Sequence, residues 1–412
     1  MSRTGEKNGN GQPDLRPTVR FPEFEEDGAW HTETIGEISE PIKEKVGEHK
    51  ITPVSITAGV GFVPQADKFG RDISGEQYKN YTYLRRGDFA YNKGNSKSFP
   101  QGYVCQLHEF DEVAASSAFI CFKLKDGYEP TFLKGLFDRN THGRQLAAHI
   151  TSGARSNGLL NLNAGQFYGV QLPFPPNFEE QQRIAECLAS IDALIEAEIE
   201  KLDALKDHKQ GLMQQLFPAE GESRPALRFT QFEDQEDWRV TPLGDECDLY
   251  QPQTLSKSQL SENGEFLVYG ANGVIGRHVE YNHAESEVIV TCRGATCGEV
   301  HQTKPMSWIT GNAMVVRPKS PSLHKDFLAH LLRADGLQSV ITGSAQPQIT
   351  RAGFAPLPVS IPSSEEEQEA VASTISSVDT LISAQKSRVE VLKNHKLGLL
   401  QQLFPVLDEV DG

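Results

Sequence analysis

Hydrophobic residues recur at spacings of three, four or seven positions in two long, otherwise polar segments of this chain. That spacing places them on one stripe of an α-helix and, when sustained over several turns, predicts the seam of a coiled coil. The stripe of the first segment consists of Ile184, Leu188, Ile191, Ile195, Leu202 and Leu205. The stripe of the second consists of Val371, Ile375, Val378, Ile382, Val389 and Leu392.

Prolines bound both helical segments, since each segment follows one or two prolines and stops at another. Asn177 and Glu180 have the spacing of a capping box, in which each side chain accepts a backbone N–H of the other residue. Ser364 and Glu367 repeat that spacing in the second segment. At about 1.5 Å per residue each helix would be roughly 60 Å long. The predicted helices are residues 175–218 and 362–405.

The two helical segments are copies of each other. They align without a gap at an offset of 187 positions, and nearly half of the paired residues are identical. A second repeated segment precedes each copy, at residues 16–30 and 224–238. One plan is therefore written twice along the chain. We expect the matched seams to pair as an antiparallel coiled coil about a pseudo-twofold axis; the alternative is that each helix packs on its own domain.

The segments between the repeats alternate short β-like runs with Gly, Asn and Ser turns, and each contains one predicted helix, near residues 131–150 and 325–342. These middle segments differ in sequence between the copies. The expected fold class is α+β, with two mixed α/β domains separated by the two long helices. The predicted division is a disordered tail at 1–15, a first domain at 16–174, a helix at 175–218, a linker with a second domain at 219–361, a helix at 362–405 and an acidic tail at 406–412.

Composition limits the class of protein. A chain of 412 residues that is 38% hydrophobic and 23% charged is large enough for two domains with separate cores. No apolar run approaches the roughly 18 residues of a membrane span, and the first residues lack the apolar core of a signal peptide. The six cysteines are too few and too scattered for a disulfide framework. We therefore expect a cytoplasmic protein.

The charge distribution is uneven. The net charge of −16 argues against a nucleic-acid partner for the chain as a whole, because phosphate binding needs Lys and Arg. Residues 37–169, however, hold slightly more Lys and Arg than Asp and Glu. The first middle segment therefore remains compatible with an anionic partner.

Catalytic motifs are missing from the sequence. It contains no phosphate-binding loop of the form Gly-x4-Gly-Lys-Ser/Thr and no Gly-x-Ser-x-Gly nucleophile elbow. Cys292, Cys297 and His301 could supply three metal ligands, but their spacing is loose and no fourth ligand lies in register. We therefore expect no metal site and no enzymatic activity in this chain itself.

The repeated plan resembles the specificity subunit of type I restriction-modification systems. The resemblance rests on the order of recognition segment and long helix, twice over, and on helices that end His-Lys-x-Gly-Leu-x-Gln-Gln-Leu-Phe-Pro. The segments 269–276 (Tyr-Gly-Ala-Asn-Gly-Val-Ile-Gly) and 343–350 (Gly-Ser-Ala-Gln-Pro-Gln-Ile-Thr) add to it. It covers nearly the whole chain after residue 15.

The resemblance implies a DNA-binding subunit with two target recognition domains, each reading one half of a bipartite, asymmetric site on double-stranded DNA. The long helices would then set the spacer and dock methyltransferase subunits, two of them being expected. Those subunits would bind S-adenosylmethionine and methylate adenine, and restriction subunits would use ATP and Mg²⁺ for translocation and cleavage. This chain would itself bind none of these cofactors.

Side chains that could read bases are expected on polar loops of the middle segments. Arg and Lys suit guanine, and Asn and Gln suit adenine. For each of them a solvated loop position is the alternative, phosphate contact is favoured over base contact, and Arg293 could instead pair with a carboxylate. The candidates of the first domain are Tyr91, Asn92, Lys93, Asn95, Lys97, Ser152, Arg155 and Asn157. Those of the second are Asn272, Arg277, Arg293, Thr296, Gln346, Gln348 and Arg351.

The helix lengths lead to a prediction about the DNA site. Two recognition domains on a rigid spacer must meet the same face of the duplex, which favours half-sites about 34–36 Å apart. An extra helical turn inserted near Ala197 should therefore lengthen the spacer between the half-sites and leave both half-sites unchanged. Sequencing the adenine methylation of cells that carry the variant tests this, and an unchanged spacer would refute it.

The competing hypothesis is a coiled-coil scaffold with two ligand-binding domains that do not bind DNA. The acidic net charge and the lack of a basic run favour it. An adenine methyltransferase gene beside this one would favour the DNA-binding hypothesis.

Overall fold

The computed structural model describes residues 15–94, 99–150, 160–219, 221–271, 273–334, 336–343 and 345–407. The chain forms two compact units. Unit 1 consists of residues 1–198 together with 388–412, and unit 2 consists of residues 199–387. Each of the two long helices thus contributes one part to each unit.

The first copy of the plan contains ten strands and six α-helices among its described residues. Short 3-10 helices also lie at Pro22–Phe24 and Gly75–Asn80. In chain order the elements are β1 His31–Thr34, α1 Ile35–Ile38, β2 Ser39–Pro41, β3 Pro53–Thr57, β4 Gly61–Pro64, α2 Gln65–Phe69, β5 Thr82–Arg85, β6 Phe89–Asn92, β7 Tyr103–Gln106, β8 Glu112–Ala115, β9 Ile120–Leu124, α3 Pro130–Asp138, α4 Thr141–Ala147, α5 Ala164–Tyr168, β10 Gln171–Phe174 and α6 Phe178–Leu216.

The second copy has a similar order of elements. Its 3-10 helices lie at Thr230–Phe232, Lys257–Gln259 and Gln338–Val340. The other elements are β11 Arg239–Pro242, α7 Leu243–Glu246, β12 Cys247–Tyr250, β13 Phe266–Gly270, β14 Gly273–His278, β15 Val288–Thr291, β16 Val300–Gln302, β17 Trp308–Ile309, β18 Ala313–Pro318, α8 Lys325–Ala334, α9 Arg351–Phe354, β19 Pro358–Ile361 and α10 Glu365–Leu403.

The sheets of the two copies share one topology, apart from the extra edge strand β5 in unit 1, although the middle segments differ in sequence. In unit 1 the strand orders are β1-β10, β2-β9-β6-β7 and β4-β3-β8-β5. In unit 2 they are β11-β19, β12-β18-β15-β16 and β14-β13-β17. The β3–β8 and β13–β17 pairs are parallel, and the other pairs are antiparallel. The expected α+β class is confirmed, and part of the extra length of the first copy is the α2–β5 segment inserted between β4 and β6.

The predicted helix near 131–150 is two helices, α3 and α4. They are separated at Asn140, whose φ of 62° is left-handed and ends α3. The predicted helix near 325–342 likewise ends at Ala334, and a 3-10 turn at Gln338–Val340 follows. In both places a change in backbone direction ends the helix earlier than the hydrophobic pattern predicts.

An aromatic cluster closes the core of unit 1. Phe404, just beyond the end of α10, has its ring centroid 5.2 Å from that of Phe132 and 6.3 Å from that of Trp30. The Trp30 and Phe132 rings are themselves 5.7 Å apart. The end of the second long helix therefore completes the core of the first domain.

The equivalent cluster closes the core of unit 2. Phe217, just beyond the end of α6, has its ring centroid 5.6 Å from that of Phe327 and 6.2 Å from that of Trp238. A backbone hydrogen bond also joins this helix end to the second copy, because Leu227 N–H donates to the carbonyl of Gln215 at 2.8 Å. In unit 1 the corresponding bond joins Val19 N–H to the carbonyl of Gln402 at 3.0 Å. Each domain is thus completed by the end of the helix that belongs to the other copy.

A buried ion pair ties the leading repeat of unit 1 to its long helix. The Arg20 guanidinium donates to both carboxylate oxygens of Glu180, at 2.8 and 2.6 Å, and the Trp30 indole N–H donates to the same carboxylate at 3.3 Å. The Glu180 side chain is 1% exposed. Hydrogen bonding to Glu180 raises the pKa of Arg20. The remaining Arg20 donors reach the carbonyls of Asp27 and Gly28.

Unit 2 has the same arrangement at equivalent positions. Arg228 donates to Glu367 at 2.8 and 2.9 Å, and the Trp238 indole donates to that carboxylate at 3.0 Å. We name each cluster of Arg, Glu and Trp a latch. In both copies the latch joins the two segments that the sequence repeats.

The latches correct the capping prediction. The carboxylates of Glu180 and Glu367, expected to reach back to the helix start, are instead the acceptors of the latches. Asn177 donates from its amide nitrogen to Asp27 at 2.5 Å. In the second helix Ser364 does act as a cap, because its hydroxyl accepts the N–H of Glu367 at 3.2 Å.

The long helices pair in opposite directions within each unit. In unit 1, Glu198 of α6 lies 2.7 Å from Arg388 of α10, and Asp192 lies 2.7 Å from Lys396. In unit 2, Lys209 contacts Asp379 at 2.7 Å. The residues predicted for the seam are all buried or half-buried. The alternative, in which each helix packs only on its own domain, does not agree with these contacts.

The described helices start and end two or three residues inside the predicted bounds, at Phe178–Leu216 and Glu365–Leu403. Leu15, which was assigned to a disordered tail, is instead buried and pairs with Trp30, whose N–H donates to its carbonyl at 2.8 Å. The rest of that tail and residues 408–412 lie outside the described residues.

Candidate nucleic-acid interface

In unit 1 the residues that flank the two polar segments of the first domain meet at the end of strand β6. The backbone carbonyl of Lys93 accepts the N–H of Leu160 at 2.9 Å, and the Lys93 ammonium lies 3.4 Å from the carbonyl of Leu162. The segment 91–94 and the segment that follows 151–159 thus share one edge of the domain.

A surface cleft of about 640 Å³ opens at this edge. Asn163 begins α5 with a capping box, since its side chain accepts the N–H of Gln166 at 2.8 Å and the Gln166 side chain accepts its N–H at 2.9 Å. That box fixes the wall opposite Lys93. The cleft is lined chiefly by Lys93, Ala148, His149, Asn161, Asn163 and Gln166.

Two residues that the sequence predicts as DNA contacts, Tyr91 and Asn92, have contacts inside the domain. Tyr91 was expected on a polar loop, but it lies in the central strand β6 and is fully buried. Its ring stacks on Phe167 with centroids 4.5 Å apart, its hydroxyl donates to the carbonyl of Gln101, and burial raises its pKa. Asn92 donates to the carbonyl of Ile56 at 3.2 Å and accepts the N–H of Gly94 at 2.9 Å. The prediction that Tyr91 lies on a polar loop is wrong, and Asn92 is the half-buried last residue of β6.

Six candidates cannot be placed. They lie outside the described residues, and they are Asn95, Lys97, Ser152, Arg155, Asn157 and Asn272.

In unit 2 the structure brings Arg293 and the 346–348 segment together. Arg293 and Gln348 form an isolated antiparallel bridge. Gly294 N–H donates to the carbonyl of Pro347 at 3.1 Å, and Ile349 N–H donates to that of Cys292 at 3.0 Å. The side chains of Arg293, Gln346, Gln348 and Arg351 are exposed.

The Arg293 guanidinium forms no hydrogen bond or ion pair within the part of the chain that the structure describes. The alternative of a local carboxylate partner is therefore not seen there. A guanidinium presents five N–H donors in a planar fork, which suits guanine or phosphate oxygens. Arg293 is the strongest candidate of the second domain.

Two other predicted residues have structural contacts. The Thr296 hydroxyl donates to the carbonyl of Ala271, which also accepts the Thr291 hydroxyl at 3.1 Å, so both threonines hold the β13–β14 turn. Arg277 is exposed, and one of its nitrogens donates to the carbonyls of Gly264 and Glu265 at 3.3 and 3.0 Å. Thr296 therefore shapes the loop, while Arg277 retains further donors.

The Cys292 thiol, one of the three groups considered above as metal ligands, contacts other protein groups. Cys292 is buried, Gln251 donates to its sulfur at 2.9 Å, and the sulfur lies 3.1 Å from the carbonyl of Asn312. Burial raises the pKa of this thiol. Within the described ranges, no three His, Cys, Asp or Glu side chains group in a way suited to a metal ion. None of the described helices combines the length and apolarity needed to cross a bilayer.

Both domains present a cation at an equivalent place. Lys93 directly follows β6, and Arg293 is the second residue after β15. Strands β6 and β15 occupy the same position in their sheets. Each cation lies beside the segment that leads into a short helix, α5 or α9. The dissimilar middle segments hide this equivalence at the level of the sequence.

Comparison with known proteins agrees with this arrangement. The chain matches the family described as type I restriction modification DNA specificity domain over residues 71–207 and again over 235–394. This chain belongs to that family.

Two relatives show how far the specificity domains have diverged. The chain is 22% identical over 282 residues to the MjaVIII specificity subunit of Methanocaldococcus jannaschii, which is 62% of this chain and 66% of the relative. It is 28% identical over 153 residues to the EcoprrI specificity subunit of Escherichia coli, which is 36% of this chain and 38% of the relative. The matches therefore span two thirds or less of these two relatives.

Solved structures share the fold of the specificity domains. The S subunit of a type I restriction-modification system from M. genitalium superposes with a TM-score of 0.61 at 16% identity, covering 95% of this chain and all of that one. A second structure, from a study of the assembly and conformational transition of the type I system, gives 0.55 at 18% identity and covers 91% of this chain and 97% of its own.

Family membership decides between the two hypotheses from the sequence. A pair of DNA specificity domains supports DNA recognition without catalysis by this chain, and it does not support the scaffold that binds no DNA. Two residues of the first specificity domain were missed, His149 and Asn161, although the Asn-x-Asn run at 161–163 was a signal for a polar turn.

Proposed function

We propose that this chain is the DNA-sequence-specificity subunit of a type I restriction-modification complex, in which each specificity domain reads one half of a bipartite, asymmetric site. The observation that carries the proposal is the pair of family matches, each with a cation at the corresponding loop, half-buried Lys93 in one and exposed Arg293 in the other. Methyltransferase subunits would bind S-adenosylmethionine and methylate adenine, and restriction subunits would use ATP and Mg²⁺.

The test is co-expression of this chain with the neighbouring methyltransferase subunit, followed by a pull-down and by sequencing of adenine methylation in the host. A bipartite motif that disappears when the gene is deleted supports the proposal. A chain that captures no methyltransferase and whose deletion removes no motif would contradict it.

Arg293→Ala should relax the half-site that the second domain reads and leave the other half-site unchanged. Loss of a bidentate guanidinium contact lowers discrimination at one base pair by about 1–3 kcal/mol, or roughly 5- to 150-fold. The measurement is the set of methylated sequences in cells that carry the variant.

Lys93→Ala is the reciprocal control, because its effect should be confined to the half-site of the first domain. Arg293→Lys keeps the charge but loses the planar fork, so it should restore affinity without restoring selectivity. Equal relaxation of both half-sites by Arg293→Ala would contradict the assignment.

We also propose that two methyltransferase subunits dock on the long helices at equivalent positions. Leu194 of α6 is 42% exposed, and Leu381, its equivalent in α10, is 56% exposed. Exposed leucines on otherwise polar helices suit a protein partner.

Leu194→Asp and Leu381→Asp should each reduce the number of bound methyltransferase subunits from two to one, because each removes one apolar contact and places a charge there. The mass of the purified complex in solution measures this. Val391→Asp is the control, because Val391 is also exposed but its counterpart in α6 is the small residue Ala204 and not a leucine. Two bound subunits in both leucine variants would refute the docking positions.

A further inference from the structure

A second cleft in unit 1 continues from the one beside Lys93. It measures about 890 Å³ and lies between α4, the start of β10 and the residues that follow α10. Ala148 lines both clefts, with His149 on one side and Arg144 on the other. The two clefts are therefore neighbours along the end of helix α4.

Two arginines face this second cleft. Arg139 is half-buried and donates to the carbonyls of Phe404 and Pro405 at 2.7 and 2.6 Å, which fixes its guanidinium at the wall. Arg144 is exposed on α4 and forms no hydrogen bond or ion pair with any residue that the structure describes. Burial and the charge of Arg144 lower the pKa of Arg139.

None of the described residues that line the cleft is acidic. Asp138 is the last acidic residue before Glu179, although the chain as a whole carries a net charge of −16. Asp138 is itself engaged by Lys134 at 2.7 Å and by Lys396 at 3.3 Å. Two guanidinium groups that line one cleft, with no carboxylate among its described lining residues, suit an anion.

We propose that His149, Arg144 and Arg139 form a track for the phosphate backbone of the DNA bound by the first domain. The inference rests on the proposed function and extends it, because it assigns the α4 end of the domain to backbone positioning and the loop edge to base recognition. Phosphate contacts fix the register of a protein on the duplex but carry no sequence information.

The chemistry favours phosphate over an acidic protein surface. The track adjoins the cleft beside Lys93, so DNA bound at that edge of the domain would extend along it. Its groups are two guanidinium groups and an imidazole, spread over two adjoining clefts. Several basic groups along adjoining clefts suit the repeated charge of a nucleic-acid strand.

The test measures binding of the co-expressed complex to duplex DNA that carries its methylation motif, at a series of salt concentrations. Arg144→Gln should lower the slope of log affinity against log salt by about 1, since each neutralised phosphate contributes roughly 0.9. The ratio of affinities for the motif and for a scrambled duplex should stay unchanged, because phosphate contacts do not read sequence.

Arg71→Gln is the matched control, because Arg71 is an exposed arginine of unit 1 that does not line either cleft. Equal slopes for Arg144→Gln and Arg71→Gln would overturn the track. Loss of methyltransferase from the complex with an unchanged slope would also overturn it, in favour of a protein-binding cleft. A wild-type complex that does not prefer its motif would instead contradict the proposed function, whatever the slope of the variant.

Discussion

Glu180→Gln should destabilise unit 1 by about 3–5 kcal/mol, because it leaves the guanidinium of Arg20 buried without a counter-charge. The side chains of the pair are 7% and 1% exposed, so solvent cannot replace the lost carboxylate. Hydrogen exchange followed by mass spectrometry measures the effect unit by unit, since peptides of unit 1 should lose protection while those of unit 2 keep it.

Glu179→Gln is the matched control for this prediction, since Glu179 precedes Glu180 on the same helix and is exposed. Glu367→Gln should produce the mirror result and loosen unit 2 alone. If Glu179→Gln and Glu180→Gln reduced protection equally, the latch would have no special part in stability.

Phe404→Ala is the second substitution with a large expected effect. Truncating a fully buried phenylalanine costs about 3–5 kcal/mol, and Phe404 is 1% exposed between Trp30 and Phe132. The loss should appear in unit 1, where amide protection of residues 15–174 falls, although the substitution lies near the end of the chain.

Phe178→Ala controls for the removal of an aromatic ring, because Phe178 is 37% exposed at the start of α6. Phe217→Ala should instead weaken unit 2. Loss of protection in unit 2 after Phe404→Ala would contradict the exchange of helix ends.

The sequence predicted most of the fold because its repeats carry the architecture. The helical stripes, the bounding prolines and the leading segments are all present twice, so the order of elements followed from them. The roles of Glu180 and Glu367 could not be predicted in this way, because the local spacing that suggests a capping box does not show that the glutamate pairs with a distant arginine. Both leading segments carry an arginine and a tryptophan at matching positions. That repeat was the signal in the sequence for the latches.

The candidate interface was predicted less well. Arg293 and Gln348 come together because Cys292 and Ile349 pair through the backbone, and no local pattern announces a bridge across more than fifty residues. Tyr91 was misplaced because a tyrosine beside Asn, Lys and Gly suggests a loop, whereas strand alternation within β6 turns its ring into the core. The sequence thus predicted which segments form the loops. Tertiary contacts determine which of their side chains can contact DNA.

The exchange of helix ends has a consequence for synthesis on the ribosome. Unit 2 is one continuous stretch, residues 199–387, whereas unit 1 needs residues from both ends of the chain. Domains usually fold in the order in which they emerge. Here the unit begun second can finish first, and the first domain must wait for Phe404 before its core closes. Premature termination after residue 387 would therefore release a complete second unit joined to an unfinished first one.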